Sequence, residues 1–486
     1  EVVKSSPKDW STILSRLNQE TRLVAGIDTS TQSVKVVIRS AETGELIREG
    51  RAAHPDGSEV DPALWWAATQ DAINMAGGLE DIAAIAVAGQ QHGMVALDKN
   101  GAVIRPALLW NDTRSAAEAT ELNNELGGGS GIANAVGSAL VASFTASKVR
   151  WLAKHESKNA EKVAAIALPH DWISWKISGS NSITDLFTDR GDASGTGYFD
   201  SVTNEYRKDI FELAIGSKQE IVFPRIVEPR TFAAKTPTGI PIAAGTGDNA
   251  AAAIGVGAEP GDVVVSLGTS GTAFAVSKTP THDASGEVAG FADGTGYFLP
   301  LVCTLNAARI LDAATRILGV THDELGELAL IAEPGANGLT LLPYFEGERT
   351  PNRPDATGVF SGMNLANSTR ADLARAMIEG MLCGMADAVA SLEKLGVEVK
   401  RILLVGGAAK NPAVGKIASA LFGREVLIPP PGEYVAIGAA KLAAWALLGT
   451  ERPPKWNLGE VTSIKERPTP EVLAKYRKLR DQTEGW

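Results

Sequence analysis

The stretch AAGTGDNAAAAIG, residues 243–255, fits two incompatible templates, and its single aspartate decides between them. By spacing, Gly245, Gly247 and Ala250 form a G-x-G-x-x-A turn between the apolar run IPIAA (240–244) and an alanine-rich helix, the pattern of a dinucleotide-binding turn. By chemistry, Asp248 does not belong there. A turn that offers backbone N–H groups to a pyrophosphate gains nothing from a carboxylate aimed at the same place, because like charges repel in a partly dry site. The acidic ribose partner of a dinucleotide site should end a second strand about 20 residues on. Here the strand from Val263 runs into Gly268-Thr269-Ser270-Gly271, and Asp262 stands before it. Asp248 therefore either caps the helix or serves another reaction.

Bulk properties narrow that choice. A chain of 486 residues with 44% hydrophobic and 21% charged residues holds two or three domains, each able to bury a core. The net charge of −11 argues against the broad basic surface that nucleic acid or an anionic membrane requires, so any anion must be held by local donors or a metal. Two cysteines, Cys303 and Cys383, form neither a disulfide framework nor a metal spacing, which favours a reducing, cytoplasmic compartment. No apolar run reaches the roughly 20 residues that span a bilayer. The opening 22 residues lack the apolar segment of a signal peptide and an initiating methionine, consistent with a trimmed chain. They read as a short leading helix starting near Ser6 or Asp9, an N-terminal extension over 1–21.

From Leu23 the pattern changes to short β runs: LVAGID, VKVVIRS and the stretch around ELIREGRAAH. A helix follows at DPALWWAATQDAINMAG, with Asp61 as N-cap and Pro62 at the first helical position, then a buried strand at IAAIAVAG. Strands alternating with helices predict an α/β fold with a mixed sheet. Residues 26–38 and 264–276 each place two apolar strands around a turn of small hydroxyl residues, pairing Asp28 with Ser266. That likeness is either a duplicated domain or two unrelated hairpins. Gly and Pro concentrate at GVGAEPGD (255–262), which divides the chain into 22–256 and 257–486. A helix at RSAAEATEL would be capped by Asp112 or Thr113, and the glycines at 127–131 read as a loop.

No G-x-x-x-x-G-K-[ST] occurs, which removes a P-loop. What remains is a pair of hairpin turns, Asp28-Thr29-Ser30-Thr31-Gln32 and Gly268-Thr269-Ser270-Gly271, able to clasp a polyphosphate from two sides. Gly406-Gly407, at the end of a buried strand and before a helix, lets a base or ribose approach the backbone. Asp28 suits Mg²⁺, which takes one or two carboxylates with phosphate oxygens and water. Phosphoryl transfer to an alcohol also needs a carboxylate that accepts the hydroxyl proton, and Asp248 on its turn can sit beside the acceptor.

Together these stretches resemble the FGGY family of carbohydrate kinases, in the wider actin, hexokinase and Hsp70 ATPase group. The resemblance rests on GIDTSTQSVK (26–35), VAGQQHGMVALD (87–98), RPALLWNDTRS (105–115), AGTGDNAAAAIGVG (244–257), VSLGTSGTAFAVS (265–277), LPYFEGERTPNRPDATGVFSGM (342–363) and LLVGGAAKNPAV (403–414), in family order. It implies two ribonuclease H-like domains with mixed sheets flanked by helices, closing over a cleft. It implies ATP and Mg²⁺, with D-xylulose as the sugar and a homodimer as the assembly to test for. Asp248 would be the general base and a metal neighbour with Asp28. Gln91, His92, Trp110, Asn111, Asp112 and Asn249 would contact the sugar. Thr29, Thr31, Gln32, Gly268, Thr269, Ser270, Gly271, Gly406, Gly407 and Asn411 would hold ATP. Two departures stand out: the first turn has no glycine, and position 91 is Gln where Met also occurs. The EGERTP segment (346–351) reads as structural or domain-bridging, with no catalytic role.

Overall fold

The computed structural model describes residues 21–486, so the leading helix expected near Ser6 and Asp9 lies outside the described residues. The chain builds two mixed seven-stranded sheets. In the first, the strands run in the order Leu46–Ala53, Ser33–Ser40, Leu23–Thr29, Ile82–Gly89, Pro241–Ala243, Phe232–Lys235. The first three are antiparallel, the next two join in parallel, and the last reverses. The second sheet repeats this with Phe298–Thr304, Gly271–Ala275, Asp262–Leu267, Arg401–Val405, Val426–Ile428 and Thr462–Ile464, with the same sequence of directions. The Ala289–Ala292 strand extends it at the Phe298–Thr304 edge. The repeated turn is therefore a duplicated domain. Asp28 and Ser266 are both penultimate in their strands, but Thr29 pairs with Val34 whereas Leu267 pairs with Gly271, so the first hairpin carries one extra residue.

Each sheet is buried on both faces, which explains strands without a polar side. Alternate residues of the first sheet divide between two cores. Ala25, Ile27, Val34 and Val87 pack with Trp65 and Ala72 of the Pro62–Met75 helix, while Val24, Val37, Ala84 and Ala86 pack with Ala436, Ala440 and Trp445. The Tyr434–Leu448 helix, from the second half of the chain, thus covers a face of the first sheet. In return, Ala250 and Ala253 of the Asp248–Val256 helix share a core with Val264, Phe274 and Leu403 of the second sheet. A cut at 256/257 follows chain order but not packing. The two helices touch through backbone: a Cβ on Gly438 would stand 1.8 Å from the Ala251 oxygen, and one on Gly255 would stand 1.9 Å from that of Tyr434.

Local expectations divide. Asp61 caps the Pro62–Met75 helix, its side chain accepting from Ala63 N. The glycines at 127–131 do not form a loop: Gly128–Val136 is a helix, driven by burial of Ile132, Ala133 and Val136, and Gly129 lies against the Ala284 carbonyl where a Cβ would clash at 2.2 Å. Neither Asp112 nor Thr113 caps the next helix, Ala116–Glu125, which starts after Ser115. After Gly406-Gly407 a 3₁₀ turn, Gly407–Lys410, intervenes before the Pro412–Phe422 helix, whose N-terminus Asn411 already caps. No helix among the described residues is long and apolar enough to cross a membrane.

Candidate active site

Parallel strands carry their C-terminal ends to one edge of a sheet, where ligands bind in this class of fold. Thr29 pairs with Gly89, and Gly89 with Gly247, so the first turn, the Gln90-Gln91-His92 segment and the Asp248 helix all leave the sheet at one level. The glycines of the opening stretch are explained here without a pyrophosphate. Gly245 has φ 71°, and a Cβ on it would meet the Val87 oxygen at 2.2 Å and His170 at 2.8 Å. One on Gly247 would meet Gln91 Cγ at 2.8 Å and Asp192 Oδ1 at 3.1 Å.

Asp248 is the first residue of the Asp248–Val256 helix, with Gly247 as N-cap, so it is not the capping residue. Its Oδ1 accepts from Asn249 N at 2.7 Å and Asn249 Nδ2 at 3.0 Å, and Asn249 Nδ2 also reaches Gln91 Oε1 at 3.2 Å. Burial, with the nearby Asp28 charge, pushes the Asp248 carboxyl up to about 7. Asp28 is fully buried, and its own pKa is raised by burial against the opposing effects of Lys35 and Ser30. Ser30 Oγ donates to Oδ1, Lys35 Nζ lies 3.5 Å from Oδ2, and Oδ2 has no hydrogen-bond partner among the described residues.

His92 takes φ 69°, the left-handed region, and packs its ring 5.0 Å from that of Phe144 and 5.5 Å from that of Phe291. Nδ1 faces the Gly195 carbonyl at 2.6 Å, which places the proton there and leaves Nε2 as an acceptor. Burial pushes the imidazole down to about 3, so it is neutral. Trp110 Nε1 donates to Thr31 Oγ1 at 2.9 Å, tying this segment to the first turn, and Asn111 is exposed beside it. Asp112 is occupied within the protein, by Ser58 on Oδ2 at 2.8 Å and Arg114 on Oδ1 at 2.8 Å. It fixes the turn rather than offering a free carboxylate.

In the first turn Thr29 is buried, its hydroxyl without a partner among the described residues, while Gln32 is exposed and its carbonyl accepts from His54 N at 2.8 Å. None of residues 29–33 needs a positive φ, so the missing glycine costs this turn nothing. In the second turn Gly268 O accepts from Ala308 N at 2.9 Å and Thr269 O from Arg309 Nε at 3.3 Å, with half-buried Gly268 and Ser270 flanking exposed Thr269. Gly271 backs onto Met385 and Thr304. Gly406 rests against Leu267, where a Cβ would stand 2.6 Å from its oxygen, whereas a Cβ on Gly407 would meet nothing within 4 Å among the described residues, which leaves room for a ligand. Asn411 differs from expectation: its Oδ1 accepts from Ala413 N at 3.0 Å and its Nδ2 donates to His322 O at 2.7 Å, so the carboxamide is engaged in the fold.

Sequence reasoning missed several groups. Lys35 pairs across the hairpin with Asp28 and also binds Glu433 Oε2 at 2.7 Å; it is the lone charge inside a run of valines. Beneath the Asp248 turn, buried His170 puts Nδ1 2.8 Å from Asp192 and Nε2 3.0 Å from Ala244 O. Thr246 Oγ1 donates to Asp189 at 2.8 Å. Burial lowers the His170 pKa, but its bonds to Asp171 and Asp192 outweigh that and hold it well above the usual value. Both ring nitrogens face oxygens, so this His170-Asp171-Asp192 cluster is an imidazolium locking the turn, not a metal centre.

Two hydroxyl-rich turns at the strand ends, with buried Asp28, half-buried Asp248 and an amide cluster beside the first, are groups that can hold a polyphosphate beside an alcohol. Residues 23–255 match the FGGY family of carbohydrate kinases, N-terminal domain, and residues 263–447 its C-terminal domain. The xylulose kinase of Streptomyces coelicolor is 42% identical over 466 residues, spanning 92% of this chain and 93% of its own. That of Escherichia coli is 32% identical over 86% of this chain and 89% of its own. The crystal structure of xylulose kinase from Bifidobacterium adolescentis superposes with a TM-score of 0.89 at 49% identity, over 95% of this chain and 99% of that one. With both domain matches in order on an actin-like ATPase fold, the chain belongs to the FGGY family of carbohydrate kinases.

Proposed function

We propose that this kinase transfers the γ-phosphoryl group of ATP to the terminal hydroxyl of D-xylulose, giving D-xylulose 5-phosphate and ADP. The observation that carries this reading is the Gln91-Asn249-Asp248 cluster, two side-chain amides hydrogen-bonded in line to a carboxyl, in a chain whose relatives at 42 and 49% identity are xylulose kinases. Asn249, Gln91 and neutral His92 orient the ketose, with Trp110 and Asn111 at its rim. Asp248 takes the hydroxyl proton; a carboxyl held near 7 is a far better base than an ordinary one, because its pKa matches the working pH.

Mg²⁺ fits the site. The Asp28 charge raises the pKa of Asp248, and Asp28 Oδ2 is a buried oxygen with no hydrogen-bond donor among the described residues, the arrangement a divalent cation relieves. Asp28 and Asp248 would hold it, and when bound it would neutralise phosphate charge. The turns at 29–32 and 268–271 would cradle the phosphates, and the open space at Gly407 would take the nucleoside. The cytoplasm is the compartment this reading requires, since ATP is supplied there, and the two free thiols agree with it.

The test is ADP release from Mg-ATP with D-xylulose, D-ribulose, L-ribulose, glycerol and gluconate, with Asp248→Ala alongside. D-xylulose should give the largest kcat/KM, and the variant should lose it. A larger value for another polyol would reassign the substrate, and equal release without any sugar would reduce the protein to an ATPase.

A further inference from the structure

The EGERTP segment was expected to be structural, and two of its residues are. Glu348 is only 4% exposed. Its Oε1 accepts from Leu305 N at 2.7 Å and Arg349 N at 2.8 Å, and its Oε2 from Asn306 Nδ2 at 2.9 Å. Thr350 Oγ1 donates to Cys303 O at 2.9 Å. Both anchors grip the C-terminal end of the Phe298–Thr304 strand, and Thr304 pairs with Gly271, the last residue of the second phosphate turn. Arg349 is thus pinned from both sides, one strand away from that turn.

Its guanidinium is not used by the fold. Arg309 pairs with Glu346, and Arg353 donates to Arg480 O at 2.7 Å, but half-buried Arg349 makes no side-chain hydrogen bond or ion pair among the described residues. An unpaired, partly desolvated cation on a rigid segment is a cost that folding alone does not repay. Its charge is felt by the His92 ring across the cleft and by the Cys303 thiol, which also feels Asp248. Near it stand the Asp28 and Asp248 carboxylates and two other cations, Lys35, shared by Asp28 and Glu433, and Arg309, which reaches Thr269 O of the second turn and pairs with Glu346. Both of those cations are already tied to a carboxylate, which leaves Arg349 as the untied one of the three among the described residues.

We propose that Arg349 is a catalytic residue, donating from its guanidinium to the non-bridging oxygens of the phosphoryl group in transit from ATP to the sugar. The inference rests on the kinase reading above. In that step the sugar hydroxyl oxygen bonds to the γ-phosphorus and its proton passes to Asp248. The bond from the γ-phosphorus to the β,γ-bridging oxygen breaks, and its electron pair leaves with ADP. Arg349 gains or loses no proton. It meets the charge spread over the equatorial oxygens, a task that its planar fork suits better than a lysine.

The experiment compares wild type, Arg349→Ala and Arg349→Lys by kcat and KM for D-xylulose and ATP, by ADP affinity and by thermal unfolding, with millimolar guanidinium added back. Arg349→Ala should lower kcat by roughly 10²–10³-fold, the range for one preorganised donor, with sugar KM and melting temperature nearly unchanged. Guanidinium should restore part of the rate, and Arg349→Lys should fall between. A kcat within about threefold of wild type overturns the proposal. So does a loss that guanidinium does not rescue and that follows a fall in melting temperature, which would make Arg349 structural. A wild type inactive on every sugar would instead sink the kinase reading itself.

Discussion

Substituting Gly438 with alanine should damage both the fold and the chemistry, through one contact. A Cβ on Gly438 would lie 1.8 Å from the Ala251 carbonyl oxygen and 2.6 Å from its carbon. A carbon and a carbonyl oxygen rest about 3.3 Å apart at closest, so the crossing helices must separate by about 1.5 Å. Both sides of the contact are backbone, and no side chain can swing away. Overpacking costs about 1–3 kcal/mol, and the upper end applies where nothing can yield. At about 2–4 °C per kcal/mol for a lobe of this size, the midpoint of thermal unfolding should fall by about 6–12 °C. The struck helix begins with Asp248. Misplacing a reacting group by about 1 Å costs on the order of 10²-fold, so kcat for sugar phosphorylation should drop by about that factor. Gly384→Ala is the control: it also lies inside a helix, but its Cβ would meet only Tyr476 Oη, at 3.6 Å. That variant should be unchanged or up to about 1 kcal/mol more stable. If Gly438→Ala melts within about 2 °C of wild type and keeps its kcat, the crossing does not position the base.

Two further outcomes follow from buried charges. Asp28→Asn removes a carboxylate held unfavourably in the interior, so it should stay within about 1 kcal/mol of wild-type stability while kcat falls at least ~10²-fold; denaturant unfolding beside the kinase assay checks this, and a large loss of stability would show Asp28 to be structural. His92 should make the fold acid-sensitive. Its folded pKa of about 3 lies below the unfolded value near 6.5, so the unfolded chain binds the proton first and stability, complete above pH 6.5, declines as pH falls toward 3. Between pH 6.5 and 5 the loss should reach at most about 2 kcal/mol, and His92→Asn, which tolerates the left-handed backbone, should abolish it in urea titrations at the two pH values. An equal pH dependence in both proteins would contradict the assignment of His92 as a buried neutral ring.

The strands of both halves, the Pro62–Met75 helix with its Asp61 cap and the repeated hydroxyl turn were legible because they are local: apolar spacing, capping and turn chemistry act over a few residues. Asp28 and Asp248 stood out because each lies where a strand gives way to a turn or a helix, whereas Gln91 and Asn249 entered through the family resemblance. The Gly128–Val136 helix was hidden because glycines disfavour helix locally, and only the burial of Ile132 and Val136 and the close Ala284 backbone reverse that preference. Asn411 and Asp112 looked like ligand groups, yet Asn411 is engaged by His322 and Asp112 by Ser58, partners tens of residues away that no local pattern reveals, with Arg114 holding Asp112 from two residues on.

By itself, then, the sequence determined which segments become strands and helices, where the turns fall, and that one carboxylate lacks a counterpart in the second half, since short-range sterics and periodic burial decide these. Tertiary structure alone decided that the helix after Asp248 crosses the one after Glu433 backbone to backbone, that Asp248 lies in the field of buried Asp28, and that Arg349 is left unpaired among the described residues. Those depend on distances between residues far apart in the chain, and it is the packing of the two sheets through their exchanged helices that sets them.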